Sequence, residues 1–302
     1  MKLFVGITDS GWFKQLQEMR PDEVNFWKPG SSGGFGVLQP GELFLFKLHS
    51  PNNFIVGGGH FVRFSRLPVS LAWEAFGEKN GVKDLRSFHE RISKYRAGPR
   101  EADPNIGCIV LSQPFFFDRD DWISAPVHWP RSTVQGKSYE LNSVEGASIL
   151  QDLKTRLGLP LGINQVAENR YGMEYAVRSR LGQGAFRVLV TEAYSRRCAI
   201  TGEKTLPVLE AAHIRPFAEK GPNAVVNGVL LRADMHKLFD SGLISISPDH
   251  KILVSSQIEG QYTNGKLYYS YQGQSLRVLP EEARERPNSE FLEWHNQNVF
   301  VA

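Results

Sequence analysis

His213, Asn227 and His236 lie within two dozen residues, in the segment LEAAHIRPFAEKGPNAVVNGVLLRADMHKLFDSG. Asp240 follows His236 by four residues. On a helix that spacing sets both side chains on one face. An imidazole and a carboxylate placed so can bind a divalent cation. His213 belongs to a different element and can face that cation across a gap. The arrangement suits phosphodiester hydrolysis. A neutral imidazole near pH 7 takes a proton from water, while a metal ion offsets charge on the phosphate and on the departing oxygen. A neighbouring amide, Asn227, can hold the imidazole in its working tautomer. Arg196, Arg197, Arg215 and Lys237 can bind phosphate oxygens around the cut.

The elements that must position these groups are readable from pattern. AFRVLVTEAYSRR (185–197) has helical spacing, and TLPVLEAAHIRPF is strand-like. A loop and a short helix ending near Gly242 follow, then two short strands around a Pro248-Asp249 turn. Upstream, residues 2–8, 42–50, 53–64 and 107–117 read as strands. Residues 70–77 and 85–96 read as helices. SVEGASILQDLKTRLG (143–158) predicts an amphipathic helix ending at Gly158. The following arm carries Arg170, Arg178 and Arg180, which can touch phosphates. The fold class is α+β. The expected domains are residues 1–140, a helical linker at 141–180, and residues 181–302.

His213, Asn227 and His236, with the flanking AAHIRP, NGVLLRADMHKLFDSGLI and RRCAITG, resemble an HNH (ββα-metal) nuclease domain. The closing SLRVLPEEARERPNSEFLEWHNQNVF resembles the tail of the restriction-type branch. The resemblance covers roughly residues 180–302. It implies that His213 is the general base, that Asn227 orients it, and that His236 is a metal ligand with Asp240 as partner. The cofactor it implies is one Mg²⁺ or Mn²⁺ per site. Many HNH proteins carry a metal-binding Asp or His just before the base, where this chain has Ala212. Glu210 shares a strand face with position 212, and Asp234 is a second candidate substitute. Relatives with a structural zinc have paired cysteines. Here Thr201 stands in the second place after Cys198, so no structural zinc is expected and Cys198 is a core residue.

Composition sets the wider limits. The chain has 302 residues, with 35 Lys and Arg against 32 Asp and Glu, a net charge of +3. A nucleic-acid partner is permitted, and would rest on a local patch. Two cysteines exclude a disulfide scaffold. The opening MKLFVGITDSGW is no secretory signal, and no apolar run reaches membrane-spanning length. A cytoplasmic protein is expected.

A small nuclease domain has little surface for choosing a sequence, so the first 140 residues are expected to decide where it acts. LFVGITD, VNFWKPGSSGGFG and PGELFLFKLHSP followed by IVGGGHF resemble the PUA-like superfamily, especially its EVE-type members. That implies a mixed β-barrel with helices that holds a flipped base. Trp12, Trp27 and Phe35 are the pocket candidates, and Asp9 and Ser50 the edge readers. Together the two halves resemble a modification-dependent restriction endonuclease. Such an enzyme cuts double-stranded DNA carrying a methylated or hydroxymethylated cytosine, and is expected to act as a homodimer. The rival readings are an HNH endonuclease or nickase for unmodified DNA, and a DNA- or RNA-binding protein with a degenerate nuclease site.

Overall fold

Alternation of Phe with Leu in LFLFKL gives the central strand two apolar faces, and the first half of the chain is built around it. The computed structural model describes residues 1–302 apart from 31–32, 97–100, 127, 131, 159–180 and 264. Arg170, Arg178 and Arg180 lie outside the described residues. The chain divides into two units, Met1–Ala185 and Phe186–Ala302.

In the first unit the strands are β1 (Lys2–Thr8), β2 (Glu23–Lys28), β3 (Leu43–Leu48), β4 (Phe54–Pro68), β5 (Asn105–Phe116), β6 (Ile123–Ser124) and β7 (Gly136–Glu140). They form one sheet in the order β2-β5-β4-β3-β1-β7, with β6 on β4. Only β1 and β3 pair in parallel. The expected barrel is not what this pairing draws, because among the described residues the path ends at β2 and β7 without closing. The observed class is a mixed α+β fold with a large mixed sheet.

Helix α1 (Ser10–Met19) starts where Asp9 accepts from the Trp12 amide, 2.9 Å away. It lays Trp12, Phe13 and Leu16 on the face that carries Phe26, Phe44 and Phe46. Trp12 meets Phe46 and Phe26 edge-on at 5.0 and 5.4 Å. Such rings contribute about 0.5–1.5 kcal/mol per pair beyond their burial. The opposite face carries Leu3, Val5, Leu45 and Ile55. It is covered by Ile149 and Leu153 of α4 (Val144–Arg156), which Ser143 caps. Helices α2 (Val69–Phe76) and α3 (Leu85–Tyr95) match the expected spacing closely. Gly57 sits so close to β5 that a Cβ there would lie 2.2 Å from the Phe115 carbonyl oxygen. The GGG run is therefore strand interior beside register shifts, not a phosphate loop.

The second unit contains most of α5 (Gln183–Ala193), which ends four residues earlier than its pattern suggests. An antiparallel hairpin follows, β8 (Leu209–His213) on β9 (Gly228–Arg232), with His213 opposite Gly228. Helix α6 (Ala233–Asp240) leaves β9 directly, giving a ββα unit. β10 (Ile244–Ile246) and β11 (Ile252–Val254) form the second hairpin, as expected. One apolar core joins Phe186 and Val190 of α5, Val229 to Leu231 of β9, and Met235 and Phe239 of α6. The last helix, Ser289–Asn298, adds Leu292 to that core and stacks His295 on Phe239 at 3.9 Å. Among the described residues no helix is long and apolar enough to cross a membrane.

Candidate active site

The ββα unit brings His213, His236 and Asp240 to one place. His213 ends β8 with its ring half-buried and stacked on Phe186, centroids 3.9 Å apart and planes 13° from parallel. Its Nε2 donates to Asn223 Oδ1 at 2.8 Å. That bond fixes the neutral tautomer with the lone pair on Nδ1. Burial pushes the His213 pKa below its ordinary value. The bond to Asn223 opposes this, the charge of His236 adds to it, and Asp240 opposes it. The ring is thus neutral near pH 7 and within electrostatic range of His236 and Asp240.

Asn227 is buried, and its amide does not hold the imidazole. Its Oδ1 accepts from the Arg215 amide, and its Nδ2 donates to the carbonyls of Arg215 and Pro222, each at 2.9 Å. Asn227 therefore ties together the two ends of the loop between the strands. The expectation that it orients His213 directly is corrected: that contact belongs to Asn223. A short polar residue in a Gly-Pro-Asn loop carries no periodic signal, so spacing alone does not single it out.

On α6, one helical turn aligns His236 and Asp240 as expected, with Nε2 3.3 Å from Oδ2. The other ring nitrogen, Nδ1, lies 2.6 Å from Glu210 Oε2. Glu210 thus reaches the site from β8, two residues before position 212. Ala212 itself is buried in the apolar core. Burial raises the Asp240 pKa; His236 opposes this and the negative charge of Glu210 adds to it. Asp234 is taken elsewhere, bound by Arg232 through two contacts of 2.6 and 2.7 Å. It stands on the Arg232 side of the helix start and is corrected as a candidate ligand.

His236 thus lies between two partly exposed carboxylates, Glu210 and Asp240. Among the described residues no group of three or more His, Cys, Asp or Glu side chains is arranged to hold a metal ion. Cys198 is fully buried, and its Sγ accepts from the amides of Thr201 and Arg232.

Of the phosphate-binding candidates, Lys237 is exposed beside His236 and lines a cavity of about 510 Å³ with Leu238, Ser241, Tyr262 and Tyr268. Arg215 Nε donates to the Glu219 carbonyl at 2.6 Å, and its guanidinium lies over Trp294 at 5.4 Å. In the first unit the base-pocket candidates are not brought together. Trp12 is core, and Phe35 packs on Phe4 and Phe61 within the same aromatic cluster. Trp27 points to the other face of β2, where its Nε1 donates to the Asn80 carbonyl and its ring meets Phe88. Asp9 is spent on capping α1 and pairing with Arg91 at 3.6 Å. Ser50 is exposed at the end of β3.

Residues 198–247 match the family model described as HNH endonuclease. The match supports a nuclease. No curated protein matches the chain. One similar solved structure is a modification-dependent TagI restriction endonuclease, 14% identical, with 92% of this chain and 75% of that chain covered and a TM-score of 0.29.

Proposed function

We propose that the second unit hydrolyses phosphodiester bonds of double-stranded DNA, with His213 as general base. The observation that carries the reading is the His213 ring itself: stacked on Phe186, tied at Nε2 to Asn223, and facing the Glu210–His236–Asp240 group. Water's oxygen forms a new bond to phosphorus as its proton passes to His213 Nδ1, and the opposite P–O bond breaks. His236 and Asp240 would hold Mg²⁺ or Mn²⁺. When bound, that ion supplies positive charge to the phosphate and the departing oxygen. Glu210, bonded to Nδ1 of His236, orients the ring as carboxylates do for metal-binding imidazoles. It is also the side chain placed to supply the charge that Ala212 lacks. Arg215 and Lys237 then bind flanking phosphate oxygens.

The first unit is assigned the choice of DNA, with a methylated or hydroxymethylated cytosine as the target that its PUA-like resemblance implies. Trp12, Trp27 and Phe35 do not share a pocket: Trp12 and Phe35 pack in the aromatic core and Trp27 meets Phe88 and the Asn80 carbonyl. Two copies acting together would cut both strands, which sedimentation during cleavage tests. The degenerate-site reading draws on Ala212, and the placement of Glu210 weighs against it. Purified protein incubated with plasmid DNA and Mg²⁺ or Mn²⁺ decides the central point. Cleavage that chelation stops and His213→Ala abolishes is expected. Cleavage that survives His213→Ala removes the ring from its role.

A further inference from the structure

A single exposed apolar side chain is ordinary on a protein surface. Phe217 is set apart by its mounting. Its ring is 63% exposed, at the start of a short turn, Phe217–Glu219, four residues after His213. The backbone of that turn is bonded at almost every step. The Glu219 and Gly221 amides donate to the Pro216 carbonyl, and the Lys220 amide donates to that of Phe217. Arg215 Nε reaches across to the Glu219 carbonyl. Asn227 clamps the base of the loop through Arg215 and Pro222. Gly221 lies so close that a Cβ there would sit 1.8 Å from the Arg215 carbonyl oxygen, so only glycine fits. A loop determined this fully holds an aromatic side chain out in water, with the cationic Arg215 two residues before it and Lys220 three residues after it.

We propose that Phe217 is a wedge that enters a base step of duplex DNA beside the cut and partly unstacks it. The inference rests on the reading that duplex DNA is the substrate. Apolar side chains used this way kink the duplex and hold it against the protein. Reach supports the placement. Four residues span at most about 14 Å, or about four nucleotides at 3.4 Å each, so a ring on this loop meets bases close to the phosphate at His213. A rigid mount is what a wedge requires, because a mobile loop would yield before the stacked bases did. The flanking Arg215 and Lys220 hold the backbone on either side.

The test uses the full chain carrying His213→Ala, so that DNA is bound but not cut. Closed-circular plasmid, unmodified and cytosine-methylated, is bound, relaxed by topoisomerase, stripped of protein and resolved by linking number. Adding Phe217→Ala is expected to remove the unwinding, and Phe217→Leu to retain most of it. In the otherwise native enzyme, Phe217→Ala is expected to slow cleavage about tenfold with an unchanged melting temperature. Equal unwinding with and without the ring overturns the wedge, as does binding without unwinding by the His213→Ala protein; in both cases the nuclease reading stands. Absence of any gel shift on either plasmid, with no cutting by the native protein, removes the duplex-DNA reading and the wedge with it.

Discussion

The catalysis proposed for His213 depends on which ring nitrogen carries the proton, and two asparagines hold the ring and its loop. Asn223 accepts from Nε2, while Asn227 holds the loop from below. Their substitutions should therefore separate. Asn223→Ala is expected to slow cleavage by about ten- to a hundredfold, the size seen when a group orienting an imidazole is lost, with little change in melting temperature. Asn227→Ala leaves buried partners of three hydrogen bonds unpaired and is expected to cost about 3 kcal/mol of stability, read by chemical denaturation. His213→Ala should slow cleavage by about 10²–10⁴-fold and leave DNA binding intact in a gel shift. The pH profile carries a sign. The base works neutral, and burial lowers its pKa from the ordinary 6.5. Activity should persist as pH falls to 6.5 and drop only below it. An acid limb centred above 6.5 would contradict the burial seen at the ring. His213, His236 and Asp240 were legible from spacing, because a strand and one helical turn set their places. Asn223 and Phe186 were not, because a loop bond and a cross-element stack have no period.

At the scale of elements, the last helix is what closes the ββα unit, and His295 records how. Its ring is buried, stacked on Phe239, with Nε2 donating to the Phe239 carbonyl and Nδ1 2.8 Å from Ser245 Oγ. Burial pushes its pKa down to about 4, against a weaker opposing effect from the Phe239 bond. In the unfolded chain the same group titrates at its ordinary 6.5. Between these values the unfolded chain binds a proton that the folded chain refuses. Stability should fall as pH drops below about 6.5, and the loss is complete below about 4, amounting to about 3 kcal/mol. Unfolding by urea from pH 7.5 to 4, compared between the native chain and His295→Gln, isolates this from the carboxylates. Curves that run parallel would mean the ring gains its proton without cost. The helix turns Phe291, Leu292 and the His295 ring to the core, and with only ten residues and a histidine in an inward place its periodicity is hard to read. Helix α1 escaped notice for a similar reason: Asp9 is an evident cap, but Gly11 and polar neighbours dilute the pattern. The edge strand β7, with one buried residue in GKSYE, offers almost no alternation to read. The β10–β11 hairpin, whose strands are mostly buried and flank a Pro-Asp turn, was legible; β9, in a stretch that reads as loop and short helix, was not.

For the whole molecule, the reading proposed above puts selectivity outside the ββα unit. In the roles proposed for them, Arg215, Lys237 and the wedge at Phe217 would meet backbone or stacked bases, and such contacts position a duplex without naming its sequence. If the first unit selects the DNA, cutting should depend on what that unit recognises, whereas hydrolysis at His213 should not. A plasmid set differing only in cytosine, unmodified, 5-methyl or 5-hydroxymethyl, makes the distinction under one salt and metal condition. Cleavage of a modified form at least about a hundredfold faster than the unmodified one is expected, since reading a single base correctly is worth about 1–3 kcal/mol per good contact and a pocket uses more than one. The difference should appear in binding as well as in rate, because recognition precedes the chemistry. His213→Ala should therefore keep the preference in a gel shift while losing the cut. Equal cutting of all three plasmids would assign the first unit to sequence or structure instead of modification. The organisation of the site on the hairpin and α6 would be untouched by that result, because the described bonds among His213, Asn223, Glu210, His236 and Asp240 lie within the second unit.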